Sequence, residues 1–325
     1  MGAARRHRTT PGFFSSSRVH LQPVGTNVRA GELGGYYIDF RNKLSVPRWP
    51  PEWLDAPKMD PFIGTAQWGL GAYERHLAGE GEAWRNAAVE AALYLLDKQE
   101  QVGAHAGAWV HRYLLPHTYD VGDEWVSAMA QGQGASLFVR MYVETGRPEF
   151  AAGAWLALEP FAVPVSSGGV RADLESGFFL QEYPTDPPSH VLNGGIFALW
   201  GYYDVGIGLG DADARQAFDE GLATLARNVG RWDTGAWTRY DLFPFRVTNV
   251  ASSFYHLLHI EQLRALQIIA PKPEFASALE RFQRYRASRL LRMRAFADKA
   301  LFRVVVPRNR LLARRTPFRR PRTQR

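Results

Sequence analysis

From about residue 63 to residue 293 the chain is a series of apolar-periodic segments joined by short polar loops, and this pattern excludes a sheet-based fold. Ile63 to His76 is apolar at helical spacing. Trp84 to Gln99 brings Trp84, Ala88, Ala91, Leu95 and Leu96 to one face. Asp123 suits the N-cap of a helix running to Tyr142, and Pro148 to Leu158 gives a shorter helix. Val191 to Val205 is an apolar run too long for a strand and reads as a buried helix. Asp211 to Val229 turns Ala214, Ala217, Phe218, Gly221, Leu225 and Val229 inward. Val250 to Ile269 follows, and Pro273 then opens a helix to about Met293. The series predicts a mainly α chain of stacked helix hairpins, an α/α toroid-like domain or part of one. Such a fold builds its cleft from hairpin ends, and the polar, aromatic-rich segments fall there: Gln99 to Asp123, Gln131 to Gly134, Glu182 to Asn193 and Trp232 to Arg246.

The flanks differ from this body. Residues 1–30 are basic and Ser-rich; Tyr36 to Phe40 after Gly34-Gly35 reads as a short strand, and prolines between Pro47 and Pro61 mark an extended linker. The expected plan is an N-terminal extension with a short β segment over 1–60, a catalytic domain over 61–295 and a basic tail over 296–325. From Arg281 onward sixteen cations face one acid, Asp298, a net of +15; against the whole-chain +7, this leaves −8 for residues 1–280. Such a tail suits an anionic polymer or a membrane surface, with no specific nucleic acid expected. Its last dozen residues read as a solvated extension. The absence of Cys excludes disulfides, thiolate metal sites and a Cys nucleophile. No apolar segment follows the basic start and none reaches membrane-spanning length, so a cytoplasmic or membrane-peripheral location is the expectation.

Four segments are candidates for chemistry. Ser127 to Gly134 places Gln131 and Gln133 beside two glycines inside a helix; the glycines allow close approach either of another helix or of a ligand whose hydroxyls the Gln side chains would bind. In Gln181-Glu182-Tyr183-Pro184-Thr185, Pro184 keeps Tyr183 out of the helical region. Glu182 and Tyr183 thus stand on a rigid loop before an apolar helix that opens near Asn193, or else form an ordinary Pro-rich turn. Trp232-Asp233-Thr234-Gly235 followed by Trp237, Arg239, Tyr240, Asp241 and later Arg246 interleaves aromatics with charges, which suits stacking on sugars and pairing with carboxylates. Tyr255 and His259 share a helix face, with His256 beside them; two His without a paired carboxylate are a weak metal signal, and no metal is expected. Nucleotide-binding glycine loops, HExxH and GxSxG are all absent.

Taken in order, these segments resemble the C-terminal catalytic domain of the heparan sulfate and heparosan glucuronyl C5-epimerases. The resemblance rests on Ile63 to Leu70, Ser127 to Gln133, Glu182-Tyr183-Pro184-Thr185 with Leu192-Asn193-Gly194, Trp232 to Gly235 with Tyr240-Asp241-Leu242, and Tyr255-His256 with His259-Ile260 and Gln262-Leu263. It implies an α/α toroid-like domain, a glucuronic-acid-containing polysaccharide as substrate, no cofactor and a homodimer like the animal members. By resemblance Tyr183 and Tyr255 are the facing acid and base, and Tyr240 is a third active-site phenol. Substrate binding would fall to Glu182, Asn193, Gln131, Gln133, Trp237, Arg239, Arg246, His256 and His259. Two departures stand out: only about 60 residues precede the helices, where animal members carry a long β-rich region, and Phe243 occupies the place of an Arg that pairs with the substrate. Arg239 or Arg246 is the expected replacement. A uronan lyase using the same proton abstraction, a glycoside hydrolase using Glu182 and Asp233, and a non-catalytic glycan-binding protein are the competing readings.

Overall fold

A computed structural model describes residues 22–51, 54, 61–115, 117–175 and 177–308. The expectations for the first 21 residues, most of the Pro-rich linker and the tail beyond residue 308 lie outside the described residues. The elements run α1 (Phe62–Leu77), α2 (Glu82–Lys98), β1 (Val110–His111), β2 (Trp125–Val126), α3 (Ala128–Thr145), α4 (Pro148–Leu156) and α5 (Glu159–Ala162). They continue through β3 (Arg171–Leu174), β4 (Gly177–Leu180), α6 (Leu192–Gly208), α7 (Ala212–Asn228), α8 (Ser253–Ile269), α9 (Pro273–Ala287) and α10 (Arg289–Val305). The chain is mainly α, as its periodicity predicts.

The helices pair as α1 with α2, α3 with α4, α6 with α7 and α8 with α9, and the first member of each pair packs on the next: α1 on α3, α3 on α6, α6 on α8. The result is an inner row backed by an outer row, an arc of an α/α toroid. The inner helices α3 and α6 are buried almost all round, over Ala128–Met141 and Leu192–Val205, which is why their sequences lack a polar face. α7 and α9 carry one apolar stripe each, with which α7 covers α6 and α9 covers α8.

α1, α3 and α6 run parallel. Gly69 lies against Leu137, Gly132 lies against Phe197 and Ala198, and further along Arg140 meets Asp204. At Gly132 a Cβ would sit 2.6 Å from the Ala198 Cα and from the Phe197 carbonyl oxygen, so Gly132 serves a close helix crossing, while Gly134 makes room for the Trp109 ring.

Several boundaries differ from those the sequence suggests. α3 starts at Ala128, not after Asp123, because Trp125 and Val126 pair antiparallel with His111 and Val110. The single helix expected from Pro273 to Met293 is two, broken at Ser288, whose Oγ caps α10 by accepting from the Leu291 N–H. α10 consequently runs through the boundary expected at residue 295. A β3–β4 hairpin fills the stretch before Gln181. The segment from Tyr36 to Phe40 is no strand: one isolated bridge, Val24 to Ile38, is its only β pairing among the described residues. Its rings are core pieces. Tyr36 stacks on Phe197, Tyr37 packs on Trp200 and Tyr203, and Phe40 contacts Phe197. No helix among the described residues is long and apolar enough to cross a membrane.

Candidate active site

The loops that lead into the inner helices converge on one mouth. Gln181 organises the loop before α6. Its Oε1 accepts from the His190 N–H at 2.8 Å and its Nε2 meets His190 Nδ1 at 2.9 Å, while the Ser189 hydroxyl donates to the Tyr183 carbonyl at 3.0 Å. These bonds pin both ends of the segment that carries Glu182 and Tyr183. The neighbouring loop is stitched to it by Leu192 N–H to the Tyr240 carbonyl (3.2 Å) and Leu242 N–H to the Ser189 carbonyl (2.9 Å). Tyr255 arrives on the first turn of α8, which Ser252 caps.

Three phenols therefore meet. Tyr240 and Tyr255 contact edge to face with ring centroids 4.8 Å apart. The Glu182 charge bears on all three phenols, and Tyr255 bears on both Tyr183 and Tyr240. Tyr183 and Tyr255 are partly open to solvent, whereas Tyr240 is buried. The Asn193 Nδ2 donates to Glu182 Oε2 at 3.3 Å, and a Cβ on Gly194 would fall 2.4 Å from the Glu182 side chain, so that glycine makes room for the carboxylate.

Burial, followed by the Glu182 charge, pushes Tyr183 and Tyr240 well above the ordinary phenol range, and burial then Glu182 push Tyr255 up to about 12. All three are phenols, not phenolates, at neutral pH. Burial pushes Glu182 itself up to about 7. A carboxyl raised in the folded state stabilises the fold below its ordinary value near 4.3 and loses that contribution as pH rises through about 7. Glu182→Gln removes this dependence, and a gain on the order of 1–3 kcal/mol over the parent is expected at pH 8, with little change at pH 4. Urea unfolding at the two pH values checks it, and an equal shift at both would contradict the assignment.

Around the three phenols stand His117 and Tyr119, which no motif in the sequence marks. Tyr119 donates to Asp241 and packs against Tyr183 at 5.1 Å. Asp241 also accepts from Asn249. His117 stacks on Tyr183 at 4.9 Å and is pushed down to about 3 by burial, then by the charges of Arg308, Arg303 and Lys299. Those cations come from α10 and the residues just after it. Lys299 Nζ donates to Asn249 Oδ1 at 2.7 Å and lies 5.7 Å from the Tyr240 ring centre. Arg303 Nη1 donates to Thr118 Oγ1 at 2.8 Å, and Arg303 and Arg308 both bear on Tyr255. α10 is seated by Phe302 against Phe245, and Phe245 packs on Phe243. Phe243, at the place of the expected Arg, thus belongs to the apolar seat of a helix that brings its own cations. The amphipathic pattern after Ser288 is the sequence signal for this helix, and the density of arginines around it obscures that pattern.

Other sequence candidates sit apart from this cluster. Gln131 is fully buried; its Oε1 accepts from the Trp109 N–H and its Nε2 donates to the Gly107 and Ala157 carbonyls, so nothing remains for a sugar. Gln133 accepts from Gln67, which in turn accepts from Lys43, inside the α1–α3 contact. Trp237 stacks on His256 at 3.7 Å and donates to the Ala251 carbonyl. His256 is held between Thr238 and the Phe282 carbonyl, and His259 also meets Thr238; burial pushes both down to about 3. Trp237, His256 and His259, with Thr238 between the two imidazoles, thus brace the α8 wall. Arg239 is half-buried with an unpartnered Nε among the described residues, and Arg246 is exposed. A separate groove of about 690 Å³ between α8, α9 and α10, lined in part by Glu261, Arg264, Arg286 and Arg292, contains none of the tyrosines.

Residues 103–284 match the family described as D-glucuronyl C5-epimerase C-terminus. The chain belongs to that family. A D-glucuronyl C5-epimerase of Caenorhabditis elegans is 31% identical over 176 residues, covering 49% of this chain and 29% of the worm protein. An uncharacterized protein of Methanocaldococcus jannaschii is 29% identical over 165 residues, half of each chain. The matched part therefore spans no more than half the length of either relative. Among solved structures, the unsaturated glucuronyl hydrolase of Bacillus sp. GL1 aligns with a TM-score of 0.45 at 17% identity, over 73% of this chain and 62% of that one. The family match contains Tyr119, Glu182, Tyr183, Tyr240, Asp241 and Tyr255 and ends before α10.

Proposed function

We propose that the protein is a C5-epimerase that converts D-glucuronosyl to L-iduronosyl residues within a heparosan-like polysaccharide. The observation that carries this reading is the cluster of Glu182, Tyr183, Tyr240 and Tyr255, in which two partly open phenols from different elements stand with a buried third under the charge of one carboxyl. Inverting C5 requires removal of a proton α to a carboxylate and its replacement on the opposite face, so two proton-carrying groups must flank the carbon.

In this reading Tyr183 takes the C5 proton while its own proton passes to Glu182. The Glu182 value near 7 makes the carboxylate available at neutral pH. Tyr255 delivers its proton to the other face of C5. Tyr240 reconnects the two phenols, so the proton that Tyr255 gave up returns through the cluster. Lys299 and Arg303 hold the substrate carboxylate and offset the charge that develops on it as the enediolate forms. No hydride moves, so no organic redox cofactor is required.

Incubation with heparosan in deuterated water tests the reading. Deuterium at uronate C5 together with iduronate signals is the expected result. A product absorbing in the near ultraviolet would assign elimination instead, and new reducing ends would assign hydrolysis. Lys299→Gln is expected to lower kcat/KM by about 10–100-fold, mostly through KM. Burial, then Arg303, pushes Lys299 down to about 7, so uronate binding should weaken as pH rises through that value in the parent. Steady-state kinetics between pH 6 and 9 would show this slope flattened in the variant; an unchanged KM profile would remove Lys299 from the site.

A further inference from the structure

α10 has two faces. The inner face, with Ala295 and Phe302 buried and Lys299 and Arg303 turned toward the phenols, is described above. The outer face carries Leu290 (78% exposed), Met293 (70%), Phe296 (70%), Leu301 (55%), Val304 (80%) and Val305 (43%). Half of the exposed large apolar side chains among the described residues thus belong to this one helix. At 100° per residue they form a single stripe opposite Ala295 and Phe302, with Arg289 and Arg294 at its margins. Helical periodicity on a solvent face has no folding purpose in an isolated chain, so the stripe calls for an occupant.

We propose that the outer face of α10 docks on an anionic lipid bilayer surface, lying in the interface plane with its apolar stripe among the acyl chains. Charge selects this occupant. α10 itself carries five cations against Asp298, and residues 306–325 add eight Arg and no acid. Residues 1–280 carry −8, so an anionic surface attracts this end of the molecule and repels the rest, which orients α10 toward the lipid. An amphipathic helix with a strongly apolar face, cationic margins and modest length is the form of an interfacial anchor. The alternatives fit less well. A second copy would set the same arginines against one another. The Arg-rich segment after residue 308 would meet like charge on the helix. An acidic polysaccharide satisfies the arginines but has nothing to place on Leu290, Phe296 and Val304. The inference is independent of the reaction proposed for the tyrosines.

Sedimentation of the full chain with vesicles tests it. Binding is expected to vesicles containing about a third phosphatidylglycerol and not to pure phosphatidylcholine, and to weaken as salt is raised. The double variant Phe296→Ser/Leu301→Ser changes only exposed side chains, so it should fold as the parent does by circular dichroism. Its vesicle-bound fraction at limiting lipid is expected to fall on the order of ten-fold. Equal binding by variant and parent would assign the attraction to the arginines alone and overturn the docking of α10. Absence of binding to anionic vesicles at low salt would also overturn it. A dimer by light scattering that the double variant dissolves would give the face to a second copy instead.

Discussion

Tyr183→Phe is expected to lower C5 exchange and epimer formation by about 10²–10⁴-fold, the usual loss for a positioned proton-transfer group. The substitution removes one oxygen and keeps the ring. The ring is what His117 stacks on at 4.9 Å and what Tyr119 and Trp125 pack against at 5.1 and 5.9 Å, so the mouth should retain its shape. The loop is held through the Tyr183 carbonyl and Gln181, neither of which changes. KM should accordingly move little and kcat should carry the loss. The hydroxyl lost is one on which the Glu182 charge bears, so the proton route proposed from Glu182 to the other phenols would also be cut. Deuterium incorporation at C5 is the appropriate measurement because it reports proton removal even when epimer does not accumulate. Turnover within ten-fold of the parent would take Tyr183 out of the acid–base pair.

Arg140→Met is expected to destabilise the fold by about 3–5 kcal/mol, the usual cost of leaving one charge of a buried pair alone. Arg140 Nη1 lies 2.7 Å from Asp204 Oδ2, with side-chain exposures of 1% and 0%. The same guanidinium donates to the Gly34, Gly35 and Ser136 carbonyls, and Tyr37 donates to Asp204. One side chain therefore joins α3, α6 and the segment that carries Tyr36 and Tyr37. Methionine fills part of the volume but leaves Asp204 with the Tyr37 hydroxyl and takes the guanidinium donor from the Gly34 and Gly35 carbonyls. Urea unfolding would show the loss as a lower midpoint. The double variant Arg140→Met/Asp204→Leu should recover much of it, since the stranded charge is then gone. A loss below about 1 kcal/mol for the single variant would mean the pair is solvated.

The helices were legible because each must bury one stripe, and that requirement is local and periodic. Their ends were less so. The Asp123 cap was outbid by pairing between residues distant in sequence, Val110 with Val126 and His111 with Trp125. The break at Ser288 depends on one hydroxyl that caps a new helix, and the residues on both sides are good helix formers. The role of Tyr36 and Tyr37 as core rings could not be read from the Gly-rich context around them, because their partners Trp200 and Tyr203 lie in α6. At the mouth, the resemblance pointed to Glu182, Tyr183, Tyr240 and Tyr255, which the structure brings together. The same motifs also contain Gln131, Trp237, His256 and His259, whose polar atoms face backbone and core. Sequence alone does not separate a polar residue that holds a wall from one that faces the substrate. Lys299 and Arg303 were missed for the opposite reason: their meaning depends on where α10 lands, and that is set by Phe302 on Phe245.

The parallel course of α1, α3 and α6 has an electrostatic result of its own. Each helix ends at the mouth with its first turn, and each first turn carries backbone N–H groups without intrahelical acceptors and a partial positive charge. Tyr255 adds the first turn of α8 to the same side. A negatively charged ligand entering there is met by aligned peptide dipoles that no side-chain substitution removes. Each such terminus contributes about 0.3–1 kcal/mol where solvent reaches it and more where water is excluded. Charge-neutralising variants on α10 should therefore leave a residual preference for anions, fixed by the direction in which the backbone runs.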